Sequence, residues 1–121
     1  MKRILLVEDD PFLIDIYTTK IKEFGFMIDI VQDGDDALRK IKEEPPDLVL
    51  LDIVLPTVNG WEILKEIRRS NHLKNLKVII LSNLGEKREV ERGLKSGADK
   101  YLIKAQYTPS EVVEEIKNLL E

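Results

Sequence analysis

The chain has 121 residues, enough for one domain with an ordinary hydrophobic core. Its 43% hydrophobic and 35% charged residues fit a globular fold, and a formal net charge of -4 argues against nonspecific nucleic-acid binding. With no cysteine and one histidine, it can form neither disulfides nor thiolate or multi-histidine metal sites.

The opening "MKRILLVEDD" is too short in its apolar part, and too acidic behind it, for a secretory signal. No apolar run approaches the roughly 20 residues that span a bilayer, so a cytoplasmic, membrane-free protein is expected. "RILLV" (3–7) is an unbroken apolar run of the kind that forms a buried parallel strand. Helical periodicity follows through Leu13, Tyr17, Ile21 and Phe24, with Asp10 as N-cap, Pro11 at the first helical position and Gly25 as stop. "MIDIV" (27–31) alternates like a strand. Residues 33–44 place Ala37, Leu38 and Ile41 on one helical face, and Pro45-Pro46 ends that helix.

"DLVLLD" (47–52) is the third strand, and "GWEILKEIRRS" (60–70) the third helix, with Ile63, Leu64 and Ile67 inward. "KVIILS" (77–82), "EKREVERGLKSG" (86–97), "KYLIK" (100–104) and "PSEVVEEIKNLLE" (109–121) complete the series. Thr108 and Glu111 form a capping box around Pro109. Trp61 reads as packing rather than a stacking platform, and His72 as an exposed loop residue without chemistry. Five strand–helix units with no linker predict a single α/β domain over 1–121, a doubly wound five-stranded parallel sheet in the order 2-1-3-4-5, flavodoxin-like.

Ligands of such sheets bind at the carboxyl ends of the strands. Those ends carry Glu8, Asp9 and Asp10 after strand one, Asp52 after strand three, Ser82 after strand four and Lys104 after strand five. Each has an ordinary explanation taken singly: a helix cap, a turn cap, a loop hydroxyl, a solvated strand end. Together they fall at one end of successive strands, which chance does not readily produce. Clustered carboxylates repel unless a cation intervenes, and an all-oxygen set favours magnesium. A hydroxyl and an ammonium opposite would suit phosphate oxygens.

Over its whole length the chain resembles the receiver domain of two-component response regulators, the family of the chemotaxis regulator. The stretches that carry the resemblance are "ILLVEDD", "PDLVLLDIVLPTVNGWEIL", "VIILS" and "GLKSGADKYLIK". It implies that Asp52 is the phosphoacceptor. Asp9 would ligate magnesium directly, Glu8 through water, and Val54 through its backbone carbonyl. Ser82 and Lys104 would engage the phosphoryl group, and Tyr101 would be the aromatic switch that swings inward on activation. The implied partners are a sensor histidine kinase or histidine phosphotransfer protein and a downstream effector or output domain, with no nucleic acid bound by this domain itself. A homodimer through helix four, strand five and helix five is among the assemblies the resemblance allows. Such a protein assists its own phosphotransfer and dephosphorylation but is not otherwise an enzyme.

Gly60 fits the tight loop before helix three, where Asn59-Gly60 tolerates positive φ. Three positions depart from the family pattern. Ala105 follows Lys104 where proline is usual, so a trans Lys104–Ala105 bond is expected. Val54 and Leu84, at positions that in the family tune phosphate lifetime, are both apolar. No output domain follows Glu121, consistent with a stand-alone regulator or an excised domain. Two other classes are weaker. A receiver-like adaptor would not need the acidic set, Ser82 and Lys104. An aspartyl phosphatase of the haloacid dehalogenase type would need a second acid two residues after Asp52, where Val54 stands. The flavodoxin alternative lacks a hydroxyl- and glycine-rich phosphate loop after strand one.

Overall fold

The computed structural model describes residues 1–121. Five strands alternate with five helices: β1 (Arg3–Val7), α1 (Pro11–Glu23), β2 (Met27–Val31), α2 (Gly34–Glu43), β3 (Leu48–Leu51), α3 (Gly60–Arg69), β4 (Lys77–Ser82), α4 (Lys87–Lys95), β5 (Lys100–Ile103) and α5 (Pro109–Leu120). All strand pairs are parallel, in the order β2-β1-β3-β4-β5. The predicted architecture is therefore the observed one. β1 and β3 lie side by side because both are buried on two faces, which only a central position provides.

The alternation of side chains along each strand divides the core in two. Leu5, Val7, Val49, Leu51 and Ile80 meet α2 and α3 on one face. Ile4, Leu6, Leu50, Ile79 and Leu81 meet α1 and α5 on the other. Asp10 caps α1 by accepting from Phe12 N–H, and Asp33 and Asn59 cap α2 and α3 in the same way. The Thr108–Glu111 capping box is present.

The buried stripe of α1 is Ile14, Tyr17 and Ile21, with Leu13 half-buried against the same core, whereas Phe24 lies outside it. Phe24 ends the helix 39% exposed, with the Lys117 ammonium 5.5 Å from its ring centroid. β5 stops at Ile103. Lys104 opens a 3₁₀ turn, Lys104–Gln106, instead of ending the strand. The structure holds no cis peptide bond, so Lys104–Ala105 is trans as expected.

Candidate functional site

Two strands deliver the acids. The β1 ladder continues one residue past Val7, because Glu8 N–H donates to Val31 carbonyl oxygen (3.1 Å). Likewise Asp52 N–H donates to Val7 carbonyl oxygen (3.1 Å), which pins the backbone of Asp52 against β1. Asp52 is 7% exposed and Glu8 2% exposed. Asp52 Oδ1 accepts from Ile53 N–H (2.7 Å), and Glu8 Oε2 accepts from Asp10 N–H (3.2 Å).

Lys104 links the two carboxylates. From the 3₁₀ turn its Nζ lies 2.9 Å from Asp52 Oδ2 and 2.7 Å from Glu8 Oε1, with only 8% of the side chain exposed. A buried charge without a partner is expensive, and here one ammonium serves two carboxylates. Burial pushes the Glu8 carboxyl above its ordinary range, against the opposing pull of the Lys104 hydrogen bond. Burial alone would lower Lys104, but its bonds to Glu8 and Asp52 outweigh this and hold it above the ordinary lysine value. The resemblance implies that Glu8 reaches a metal through water; in the structure its Oε1 also pairs directly with Lys104.

The carboxylate oxygens of Glu8, Asp9 and Asp52 lie within 4.8 Å of one another, with Asp9 exposed at the mouth. Three carboxylates and no nitrogen or sulfur donor suit a hard divalent cation. Val54, two residues after Asp52, is 64% exposed.

Ser82 is fully buried at the end of β4, and its Oγ accepts from Leu84 N–H (3.2 Å). Tyr101 donates its hydroxyl proton to Leu84 carbonyl oxygen (2.6 Å), so its ring is turned inward across the β4–α4 loop. Gly93 of α4 makes room for that ring, since a Cβ there would lie 2.6 Å from Tyr101 Cδ2. Tyr17 was legible only as core. It is a buried phenol near the site: burial pushes its pKa up, with Lys104 opposing that rise and the Glu8 and Asp52 charges adding to it. Its place in the apolar stripe of α1 gave no signal of that proximity.

The loop from Ile53 to Asn59 is clamped at both ends. Gly60 N–H donates to Ile53 carbonyl oxygen (2.8 Å), Gly34 N–H to Pro56 carbonyl oxygen (3.0 Å), and Asp35 N–H to Thr57 Oγ1 (3.1 Å). The positive φ of this loop falls on Thr57 (66°), not on Asn59-Gly60 as the sequence suggested. Gly60 is required for a different reason. A Cβ there would collide with Asp52 carbonyl oxygen and lie 2.7 Å from Ile53 Cα.

The geometry defines an acidic pocket at the carboxyl ends of β1 and β3 with a buried lysine across it, and the model of the response regulator receiver domain matches residues 4–117. The chain belongs to that family. It is 35% identical over 120 residues to the phosphate regulon transcriptional regulatory protein PhoB of Rhizobium meliloti, covering 99% of this chain and 52% of PhoB. The chain thus spans about half the length of that relative. A DNA-binding response regulator of the LuxR family from Staphylococcus aureus superposes with a TM-score of 0.91 at 32% identity, covering 100% of both chains. The Mn(2+)-bound form of response regulator Rcp1 superposes with a TM-score of 0.88 at 26% identity, covering 99% of this chain and 94% of that one. No helix here is long and apolar enough to cross a membrane.

Proposed function

We propose that this chain is a cytoplasmic signalling phosphoacceptor. It takes a phosphoryl group on Asp52 from a phosphohistidine of a sensor kinase or phosphotransfer protein, with magnesium held by Glu8, Asp9, Asp52 and the Val54 carbonyl. The observation that carries this reading is the single buried ammonium, Lys104, shared at 2.7 and 2.9 Å between two carboxylates at the strand ends. The Mn(2+) of Rcp1 supports the choice of a divalent ion.

An Asp52 carboxylate oxygen attacks phosphorus in line; the new P–O bond forms as the P–N bond to the partner's imidazole breaks. Bound magnesium would neutralise charge on the transferring oxygens. The chain's own share is positioning. Asp52 Oδ1 is held by Ile53 N–H, and Lys104 lies on Oδ2, so the attacking carboxylate is fixed before the donor arrives. Ser82 would then exchange its bond from Leu84 N–H for one to a phosphoryl oxygen. That exchange moves the loop whose carbonyl at Leu84 holds Tyr101. The reaction switches the α4–β5–α5 surface, read by an effector or output domain, and serves signalling rather than turnover of a substrate.

Incubation with acetyl phosphate and magnesium should add one phosphoryl mass to the wild type and none to Asp52→Asn. Equal labelling of both would end this proposal. Asp9→Asn should abolish labelling too, yet melt higher than wild type without metal. The gain should be about 1 kcal/mol, the Coulomb energy of one like-charge pair at 4 Å in water. A lower melting temperature would refute the repulsion. The decay of the phosphoprotein should be slow, because neither Val54 nor Leu84 offers a polar side chain to orient water. Val54→Asn is expected to shorten its lifetime, followed by loss of the added mass with time. An unchanged lifetime would remove that cause.

A further inference from the structure

Between α3 and α4, away from the acidic pocket, lies a cleft of about 410 Å³. Four of its lining side chains are cations, Lys65, Arg68, Arg69 and Arg92, against the single acid Glu62. In a chain of net charge -4 this is a local reversal of sign. Two of the cations are engaged elsewhere. Arg68 bonds Asp99 and the carbonyl oxygens of Gly97, Lys74 and Leu76, and Arg69 meets Glu66 at 3.2 Å. Lys65 and Arg92 form no ion pair, although Glu62 lines the same cleft.

Arg92 is not free to wander. Its guanidinium carbon sits 4.1 Å from the centroid of the Trp61 ring. Stacking of this kind holds the guanidinium flat while its N–H edge stays open to a bidentate acceptor. Trp61 is half-buried against the core, as its sequence context suggested, and the Arg92 guanidinium stacks on its ring. The pair presents a planar cationic surface of the sort on which heterocyclic rings stack. Lys65 and Ser96 stand beside it in the same cleft, as point charge and hydroxyl. The volume falls within the usual range of small-molecule sites. A nucleic-acid strand fits less well, because the cations are confined to one cleft and do not track along a groove.

We propose that this cleft binds a small organic phosphate of nucleotide size, with its phosphate on Lys65 and Arg92 and its ring on the Trp61–Arg92 stack. Binding here is separate from phosphorylation at Asp52. Trp61 is the only tryptophan, so its indole N–H signal in an NMR spectrum reports this site alone. Titration with ADP or GDP should move that signal saturably, in the wild type and equally in Asp52→Asn. Pyrophosphate, which has the charge but no ring, should bind about tenfold more weakly or worse. Lys65→Gln and Arg92→Gln, both at exposed positions, should each weaken ADP about tenfold, the loss expected for one charge-assisted contact. The backbone amide spectrum would verify that each variant remains folded. Absence of saturation with both nucleotides, equal affinity for pyrophosphate, or unchanged ADP affinity in both variants would overturn the proposal.

Discussion

Lys104→Met is expected to destabilise the protein by about 3–5 kcal/mol at neutral pH, against a typical total of about 5–15. Methionine keeps the apolar stem but removes the one cation between Glu8 and Asp52, leaving two carboxylates buried and repelling. The deficit should depend on pH. In the wild type, burial already holds the Glu8 carboxyl above its ordinary value of 4.5, and the Lys104 hydrogen bond opposes that rise. Without the ammonium the carboxyl rises further. A folded-state value above the unfolded one means that the native state binds more protons between the two, so stability grows as pH falls through that window and levels off below it. Chemical denaturation at neutral pH and at about pH 5 should therefore show the variant's deficit shrinking with acid. The wild type carries the mirror effect on the alkaline side. Lys104 is raised above 10.5, so its contribution is complete below that value and lost as pH climbs through the folded one. A neutral-pH loss below about 1 kcal/mol would mean that water or mobile side chains already compensate the two acids.

Gly60→Ala should cost about 1–3 kcal/mol and impair phosphoryl uptake by more than that loss of stability implies. Alanine by itself favours a helix by up to about 1 kcal/mol over glycine, so propensity would predict the opposite sign. The clash decides it. The new methyl meets the carbonyl oxygen of Asp52 and the Cα of Ile53, both backbone atoms that cannot rotate away. Relief requires either α3 or the end of β3 to move, and the end of β3 carries Asp52, the proposed acceptor. A misplacement of about 1 Å at a reacting group is enough to slow a positioned reaction roughly 100-fold. Gly85→Ala is the control, because its Cβ would meet side-chain carbons of Ile103 at 3.4 Å and the Asn83 carbonyl oxygen no nearer than 3.8 Å. Comparison of labelling rates and denaturation midpoints across the three proteins checks this. Uptake by Gly60→Ala at the wild-type rate would show that the loop yields without moving Asp52.

Much of the fold was legible because the strands are contiguous branched runs bounded by turn chemistry. "RILLV", "MIDIV" and "KVIILS" coincide with β1, β2 and β4 to the residue. Elements drift where pattern and geometry part company. Lys104 continues the run "KYLIK" in sequence, but the backbone turns into a 3₁₀ helix there, which aims its side chain across the sheet ends. The acids were legible because parallel topology converts a sequence position, the residue after a strand, into a place. The Glu8–Lys104 contact was not, because it depends on how two side chains bend within that place. Gly60 shows the same limit. A glycine signals that a Cβ is unwelcome, but not whether dihedral or neighbour forbids it. The stacking of Arg92 on Trp61 joins two helices with no local pattern to announce it.

The charge that neutralises the pocket arrives last in the chain. Glu8 and Asp52 are laid down by β1 and β3, whereas Lys104 follows β5, the edge strand that closes the sheet. A polypeptide still emerging from the ribosome, or cut short before residue 100, would hold the acids without their counter-ion. Such a fragment would be a poor acceptor, however well its earlier elements had formed. On the function proposed above, competence to be phosphorylated would therefore depend on β5 having been made and docked. Copies clipped ahead of β5 would then draw no phosphoryl groups away from molecules that carry Lys104.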